Sequence, residues 1–341
     1  MYKIAKNQLQ TLFTAIANTK NLYLPVKKSD QVNYGLWTKD AEVDLDTLKT
    51  VKSPKDFFFP QSETLYNCHK ENGKIVITPT ELINQPFVIF GVKACDIKAI
   101  EILDKVFLSE PIDTYYAARR EHGIIVAMAC HEPEETCFCN VFGIDASTPA
   151  GDVVIWQVED SIYWKALTEK GESLTKEVDS LLEIVSDTSA VEKEQAAIKG
   201  IIEKLPYSHL DMSKFTPDAL DEMFNSPKWE QLFKACLGCG TCTFVCPTCQ
   251  CYDIKDYNTG NGVQRFRCWD SCMYSDFTMM AHGNPRTSQL QRFRQRFMHK
   301  LIYFPANNDG VYSCVGCGRC VSKCPASQNI VKVIKSFGGE S

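Results

Sequence analysis

Two segments of the chain repeat one cysteine spacing, C-x2-C-x2-C-x3-C-P. The cysteines are Cys236, Cys239, Cys242 and Cys246 in the first motif, and Cys314, Cys317, Cys320 and Cys324 in the second. Three thiolates at this spacing can hold one face of an iron-sulfur cubane, and in two-cluster ferredoxins the fourth cysteine binds the other cluster. We therefore predict one [4Fe-4S] cluster on Cys236, Cys239, Cys242 and Cys324, and a second on Cys314, Cys317, Cys320 and Cys246.

Two other metal chemistries use similar cysteine spacings. Paired CxxC segments also bind structural zinc, but zinc does not explain two motifs of four cysteines that each end in Cys-Pro. The run Cys242-x3-Cys246-x2-Cys249 has the spacing of a radical-SAM site. Against that interpretation, Thr248 stands where such enzymes usually carry an aromatic residue, and the ferredoxin pattern already uses Cys242 and Cys246.

Nine further cysteines lie outside the two motifs. Cys95 and Cys130 each follow a predicted strand, and Cys137 and Cys139 come shortly after. Because α/β proteins usually build sites at the carboxyl edge of the sheet, these four thiols are candidate ligands of a third [4Fe-4S] cluster, with buried structural cysteines as the alternative. Four of the remaining cysteines are interpreted either as ligands of a further metal or as packing residues: Cys249, Cys251, Cys268 and Cys272. Cys68 stands alone and is interpreted as a structural residue. His131 and His282 are assigned no role.

The N-terminal elements that would position these residues follow from hydrophobic patterning. Short β-rich runs at 86–92, 123–129 and 152–158 indicate buried strands. Helical periodicity over 96–107, with Asp96 at its start, predicts a helix between the first two. Such a β-α-β unit favours parallel pairing, so we predict an α/β domain over residues 1–215.

The C-terminal part shows helical signals only. Thr216-Pro217 and Ser226-Pro227 are typical helix starts, and residues 288–304 place an apolar stripe on one helix face. Because 67 residues separate the two motifs, we expect helices to join them in an all-α two-cluster ferredoxin domain over residues 216–341. Four basic residues of this helix lie largely off the apolar stripe: Arg292, Arg294, Arg296 and Lys300. We interpret them as compensating the negative charge of the clusters and docking a partner, in preference to binding nucleic acid.

Composition excludes several classes of protein. The chain has 341 residues, 44% hydrophobic and 23% charged, which is ordinary for a soluble globular protein. No apolar run approaches the ~20 residues that a membrane-spanning helix needs. The net charge of -5 speaks against nucleic-acid binding, and the 17 cysteines favour metal ligation in a reducing compartment over disulfides. We therefore expect a cytoplasmic protein that binds neither membrane nor nucleic acid, and no motif indicates a flavin or nicotinamide site on this chain.

Seven segments together resemble a known family of iron-sulfur subunits. They are SETLY at 62–66, GVKACDIKAIEILD at 91–104, TCFC at 136–139, CLGCGTCTFVCPTCQCYD at 236–253, WDSCM at 269–273, RFRQRFMHK at 292–300 and CVGCGRCVSKCP at 314–325. The chain is similar in them to the iron-sulfur subunit of anaerobic sulfite reductase and to the beta subunit of sulfhydrogenase-type [NiFe] hydrogenases.

This resemblance implies an electron-transfer subunit. It implies electrons relayed from an NAD(P)H-oxidising flavin subunit to a terminal catalytic subunit, with anaerobic sulfite reduction on a siroheme subunit being the main expectation. The alternative is the same relay in a [NiFe] sulfhydrogenase or a heterodisulfide-reductase-type complex. The resemblance also supports a role for Cys95, Cys130, Cys137 and Cys139. A stand-alone iron-sulfur reductase and a redox-sensing protein are the other classes considered.

Overall fold

The computed structural model describes residues 1–338, which form two β-sheets surrounded by helices. Its strands are β1 (Tyr2–Ala5), β2 (Asn21–Lys28), β3 (Gln31–Leu36), β4 (Ser62–Glu71), β5 (Lys74–Pro79), β6 (Phe87–Val92), β7 (Gly123–Met128), β8 (Val153–Val158), β9 (Ser161–Ala166), β10 (Glu183–Ile184), β11 (Tyr252–Asn258) and β12 (Gly262–Trp269). Its α-helices are α1 (Leu9–Ala17), α2 (Ala94–Phe107), α3 (Thr114–His122), α4 (Glu169–Glu177), α5 (Ser189–Glu203), α6 (Leu220–Phe224), α7 (Lys228–Leu232), α8 (Thr241–Phe244), α9 (Gln289–Met298), α10 (Phe304–Asn307), α11 (Arg319–Ser322) and α12 (Ile330–Gly338).

A mixed eight-stranded sheet occupies the N-terminal part, in the order β10-β1-β9-β8-β7-β6-β2-β3. The neighbours β2, β6, β7 and β8 pair in parallel, so the predicted β-α-β unit of β6, α2 and β7 is confirmed. Every residue of β6 and β7 is buried, as expected of parallel strands covered on both faces. The carboxyl ends of these strands lead directly to Cys95 and Cys130.

Helix α2 begins earlier than the sequence pattern predicts. Its first residue is Ala94, so Asp96 lies inside the first turn and does not cap the helix. The Asp96 carboxylate instead accepts two hydrogen bonds from the buried Arg319 guanidinium, at 2.6 and 2.7 Å. This buried ion pair ties the first turn of α2 to the second cysteine motif.

The prediction of an all-α C-terminal domain is wrong. β11 and β12 form an antiparallel hairpin between the two cysteine motifs, and β12 also pairs with β4, giving a second sheet in the order β11-β12-β4-β5. The pairing is strongly non-local, because Arg267 on β12 contacts Glu63 on β4, 204 residues earlier. The C-terminal segment is therefore mixed in structure, and helices alone do not join the motifs.

The predicted helix over 288–304 is present as three consecutive pieces. α9 begins at a capping box formed by Ser288 and Gln291, and it continues through a π-helical turn, His299–Tyr303, into α10. The stripe of Phe293 and Phe297 packs in the C-terminal core. Within residues 1–338, no helix is both long enough and apolar enough to cross a membrane.

Candidate iron-sulfur centres

Three cavities in the protein are each lined by four or five cysteines. The first cavity is lined by Cys236, Cys239, Cys242 and Cys324. The second cavity is lined by Cys246, Cys314, Cys317 and Cys320. The third cavity is lined by Cys95, Cys130, Cys137 and Cys139, and Cys317 of the second cavity also reaches it. The structure thus brings together each of the three predicted cysteine sets, while ligation itself stays a prediction.

The three cavities adjoin one another in a row. Arg296 lines both the first and the second cavity. Gly316 and Cys317 line both the second and the third. The second cavity therefore lies in the middle, and the second motif separates it from the N-terminal cysteines.

Glycines between the cysteines let each loop curl around its cavity. In the first motif Gly238 and Gly240 have φ of +67° and +74°, and in the second Gly316 and Gly318 have +58° and +74°. These left-handed conformations are easily adopted only by residues without a Cβ. Both loops thus repeat the pattern Cys-x-Gly-Cys-Gly because both need a left-handed backbone at the two glycine positions.

Burial differs sharply among the thiols that line the cavities. Cys239 is the exposed member of the 17 cysteines, and hydrogen bonds from Thr241 lower its pKa. Burial raises the pKa of Cys242 to about 11, and those of Cys139 and Cys317 to about 12. Since a buried thiolate needs positive charge nearby, these thiols suit a metal-bound state.

Buried cations supply part of that positive charge around the second cavity. Arg296, Lys300 and Lys55 are each at most 3% exposed, and no carboxylate among residues 1–338 forms an ion pair with them. Burial alone lowers the pKa of Lys300, but the neighbouring Cys246 and Cys249 sulfurs outweigh it and raise the pKa. Buried charges are normally paired or bound to metal groups, so the surroundings call for an anionic occupant.

Arg296 provides the test of whether a cluster fits. Its Nε and Nη1 atoms are buried and have no hydrogen-bond partner among residues 1–338. A [4Fe-4S] cubane with four thiolate ligands is an anion that offers sulfur acceptors. The unpaired donors between two four-cysteine cavities therefore fit that group, whereas an empty apolar core would leave them unsatisfied.

The third cavity has its own basic residues. Lys49 donates to Thr136 at 2.9 Å and forms an ion pair with Glu134 at 2.7 Å. Lys93 is buried against the same cavity, and burial lowers its pKa despite the nearby Cys130 and Cys95. Cysteines on a sheet edge beside two lysines form surroundings suited to an anion, as at the second cavity.

The remaining cysteines do not line these cavities. The Cys249 thiol donates to Cys246, which lowers the pKa of Cys246, and Cys272 donates to Cys251, which lowers the pKa of Cys251 to about 7. Cys68 and Cys268 lie on β4 and β12. Among residues 1–338, no group of three or more His, Cys, Asp or Glu side chains is placed so that it could hold a single metal ion.

Sequence reasoning missed the buried cations. It placed Arg296 and Lys300 on the polar side of an amphipathic helix, yet both are inside the protein. The available signal was their spacing of four residues, which puts both on one face of the helix. His131, assigned no role, forms a hydrogen bond with the Glu194 carboxylate at 2.6 Å.

Comparison with known proteins gives this geometry a family. Residues 235–328 match the family described as a 4Fe-4S dicluster domain. The whole chain is 32% identical over 337 residues to sulfhydrogenase 2 subunit beta of Pyrococcus furiosus, covering 97% of this chain and 96% of that protein. The chain belongs to the sulfhydrogenase beta subunit family. The dicluster match supports [4Fe-4S] clusters in the family's C-terminal segment, and of the two branches that the sequence resembles, the comparison supports the sulfhydrogenase one.

Proposed function

We propose that this chain is the electron-relay subunit of a sulfhydrogenase-type complex. It would connect an NAD(P)H-binding flavin subunit to a [NiFe] catalytic subunit. The near full-length similarity to a sulfhydrogenase beta subunit favours this relay, which the sequence analysis held as the alternative, over sulfite reduction on a siroheme subunit.

The observation that carries the proposal is the row of three cysteine-lined cavities. A [4Fe-4S] cluster, when bound, accepts and releases single electrons. The twelve cysteines would hold such groups, with each fourth cysteine of the two motifs reaching across to the other cavity. A relay needs neighbouring sites without a gap, and the shared walls at Arg296 and Cys317 provide that continuity.

The ends of the row differ in access. At the first cavity Cys239 is exposed and the neighbouring Leu237 is 72% exposed, so this end faces the surface. The Tyr274 hydroxyl donates to the Cys239 carbonyl at 3.2 Å, and the Gln289 amide donates to the Cys236 sulfur at 3.5 Å. These two contacts hold the exposed loop in place, which suits a site where electrons pass to or from a partner protein.

The proposal is tested by anaerobic purification of the native protein with every subunit that accompanies it. We expect a flavin-containing and a nickel-iron partner, together with about twelve iron atoms on this chain, four for each cubane. About eight iron atoms would remove the third cluster and leave a two-cluster relay. A siroheme subunit in place of the nickel-iron one, or a chain that emerges alone with intact clusters, would contradict the proposed function.

A further inference from the structure

Arg296 lies between the two cavities that the cysteine motifs form. It lines both of them, and it is only 2% exposed. The first cavity that it lines contains the candidate ligand Cys242, and the second contains the candidate ligand Cys320. No other side chain lines both cavities in the described part of the chain.

The hydrogen bonds of Arg296 are incomplete. A guanidinium has five N–H donors, but among residues 1–338 one acceptor is within hydrogen-bond reach, the Cys242 carbonyl, at 3.3 Å from Nη2. Nε and Nη1 have no partner within residues 1–338. The guanidinium also stacks over the Phe297 ring, 4.5 Å from its centroid, and this contact holds it in a fixed position.

Arg319 shows how the same protein treats another buried arginine. Its guanidinium is bidentate to the Asp96 carboxylate and also donates to the Thr50 carbonyl at 3.2 Å. Arg296 has no such carboxylate among residues 1–338, although it is equally buried. Since a buried charge without a counter-charge is strongly destabilising, the counter-charge of Arg296 must come from what the two cavities hold.

We propose that Arg296 is the shared counter-charge of the two clusters and raises the reduction potential of both. Its unpaired donors are available to sulfur acceptors on either side, and hydrogen bonds to sulfur together with nearby positive charge favour the reduced, more negative state of a cluster. Each reduction adds one electron to one cluster, while no bond in the chain forms or breaks and the guanidinium stays protonated. This inference rests on the proposed function, because it requires clusters in the first and second cavities.

Lys300 does not duplicate this role. Its ammonium donates to the Thr248 hydroxyl at 2.8 Å and to the Ser313 carbonyl at 3.0 Å, so the protein accepts two of its three hydrogen bonds. It lines the second cavity and not the first. We therefore expect a Lys300 variant to affect the second cluster, whereas an Arg296 variant affects both.

The test compares Arg296→Gln and Arg296→Lys with the matched control Arg294→Gln in the intact complex. Arg294 lies on the same helix, but it donates to the Phe224 carbonyl and stacks over that ring, away from the cavities. Reduction potentials are measured by anaerobic redox titration followed by electron paramagnetic resonance. For Arg296→Gln we expect the ratio of reduced to oxidised cluster at a fixed potential to fall about tenfold for both clusters, which is ~59 mV for a one-electron couple.

The other variants make the result interpretable. Arg296→Lys keeps the charge but loses part of the donor set, so both potentials should fall by less, and Arg294→Gln should leave both unchanged. If the Arg296→Gln variant does not retain its clusters, the potentials of the Arg296→Lys variant test the proposal instead. Potentials that stay fixed, or a shift of one cluster alone, in a fully loaded Arg296 variant would overturn the shared role. A wild-type chain with too little iron for two clusters would instead overturn the proposed function.

Discussion

The two cysteine motifs have the same spacing and nearly the same sequence, CLGCGTC and CVGCGRC, but opposite surroundings. In the first motif the second cysteine, Cys239, is exposed, and hydrogen bonding lowers its pKa. In the second motif the corresponding Cys317 is buried, and burial raises its pKa to about 12. The repeated cysteine pattern therefore predicts the kind of group that each motif binds. The elements packed around each motif determine whether that motif is exposed or buried.

The glycines of the two motifs show the same contrast. A Cβ on Gly316 would lie 2.3 Å from the Phe138 carbonyl oxygen, which belongs to the N-terminal cysteine segment. A Cβ on Gly238 would instead lie 2.9 Å from the side-chain oxygen of Gln289, which can move. The second loop is thus packed against backbone and the first against side chains, which agrees with an interior junction and an accessible end.

The largest expected effect comes from breaking the ion pair that anchors the second motif. Asp96→Asn leaves the buried Arg319 without its counter-charge, and removing one partner of a buried pair typically costs ~3–5 kcal/mol. We expect a large fall in the unfolding temperature, measured by anaerobic calorimetry. The control is Asp256→Asn, which breaks the exposed pair with Arg265 on the hairpin and should change nothing measurable. Equal effects of the two variants would contradict a buried anchor.

A smaller effect should separate the two glycines. Gly238→Ala costs ~1–2 kcal/mol because of its left-handed backbone. Gly316→Ala adds the clash with the Phe138 carbonyl, and overpacking of this kind typically costs a further ~1–3 kcal/mol. The measurement is the unfolding temperature of both variants with iron content determined in parallel. If Gly238→Ala proved the more damaging change, the assignment of the second loop as the tightly packed one would be wrong.

The smallest expected effect is kinetic. Because Cys239 is exposed, iron in the first cavity should be more accessible to a chelator after mild oxidation than iron in the buried second cavity. We expect the resonance signal of the first cluster to disappear before that of the second, with Arg294→Gln behaving as wild type. Simultaneous loss of both signals, or earlier loss from the second cavity, would argue against the first cavity as the open end.

Local patterns were sufficient to predict part of this structure. The buried runs that became β6 and β7 lie in continuous apolar stretches, and the cysteine spacings predicted which thiols would meet in each cavity. The hairpin of β11 and β12 was missed because its charged residues, such as Arg265 and Asp256, pair across the strands and weaken the apolar alternation. Its pairing with β4 also depends on residues far away in sequence. The four-residue spacing of Arg296 and Lys300 places both on one face of the helix, but the burial of that face depends on two cavities that form only when both motifs fold together.

The central claim is that electrons cross this chain through the second cavity. Under the proposed function, the direct measurement is NAD(P)H-driven hydrogen production by the purified complex carrying Cys317→Ser, and the control is reduction of an artificial dye by the proposed flavin subunit. Cys317 belongs to the wall shared by the second and third cavities, so its loss should interrupt the row. We predict that hydrogen production is abolished while dye reduction survives. Hydrogen production at the wild-type rate in a variant that has lost the second cluster would contradict the relay.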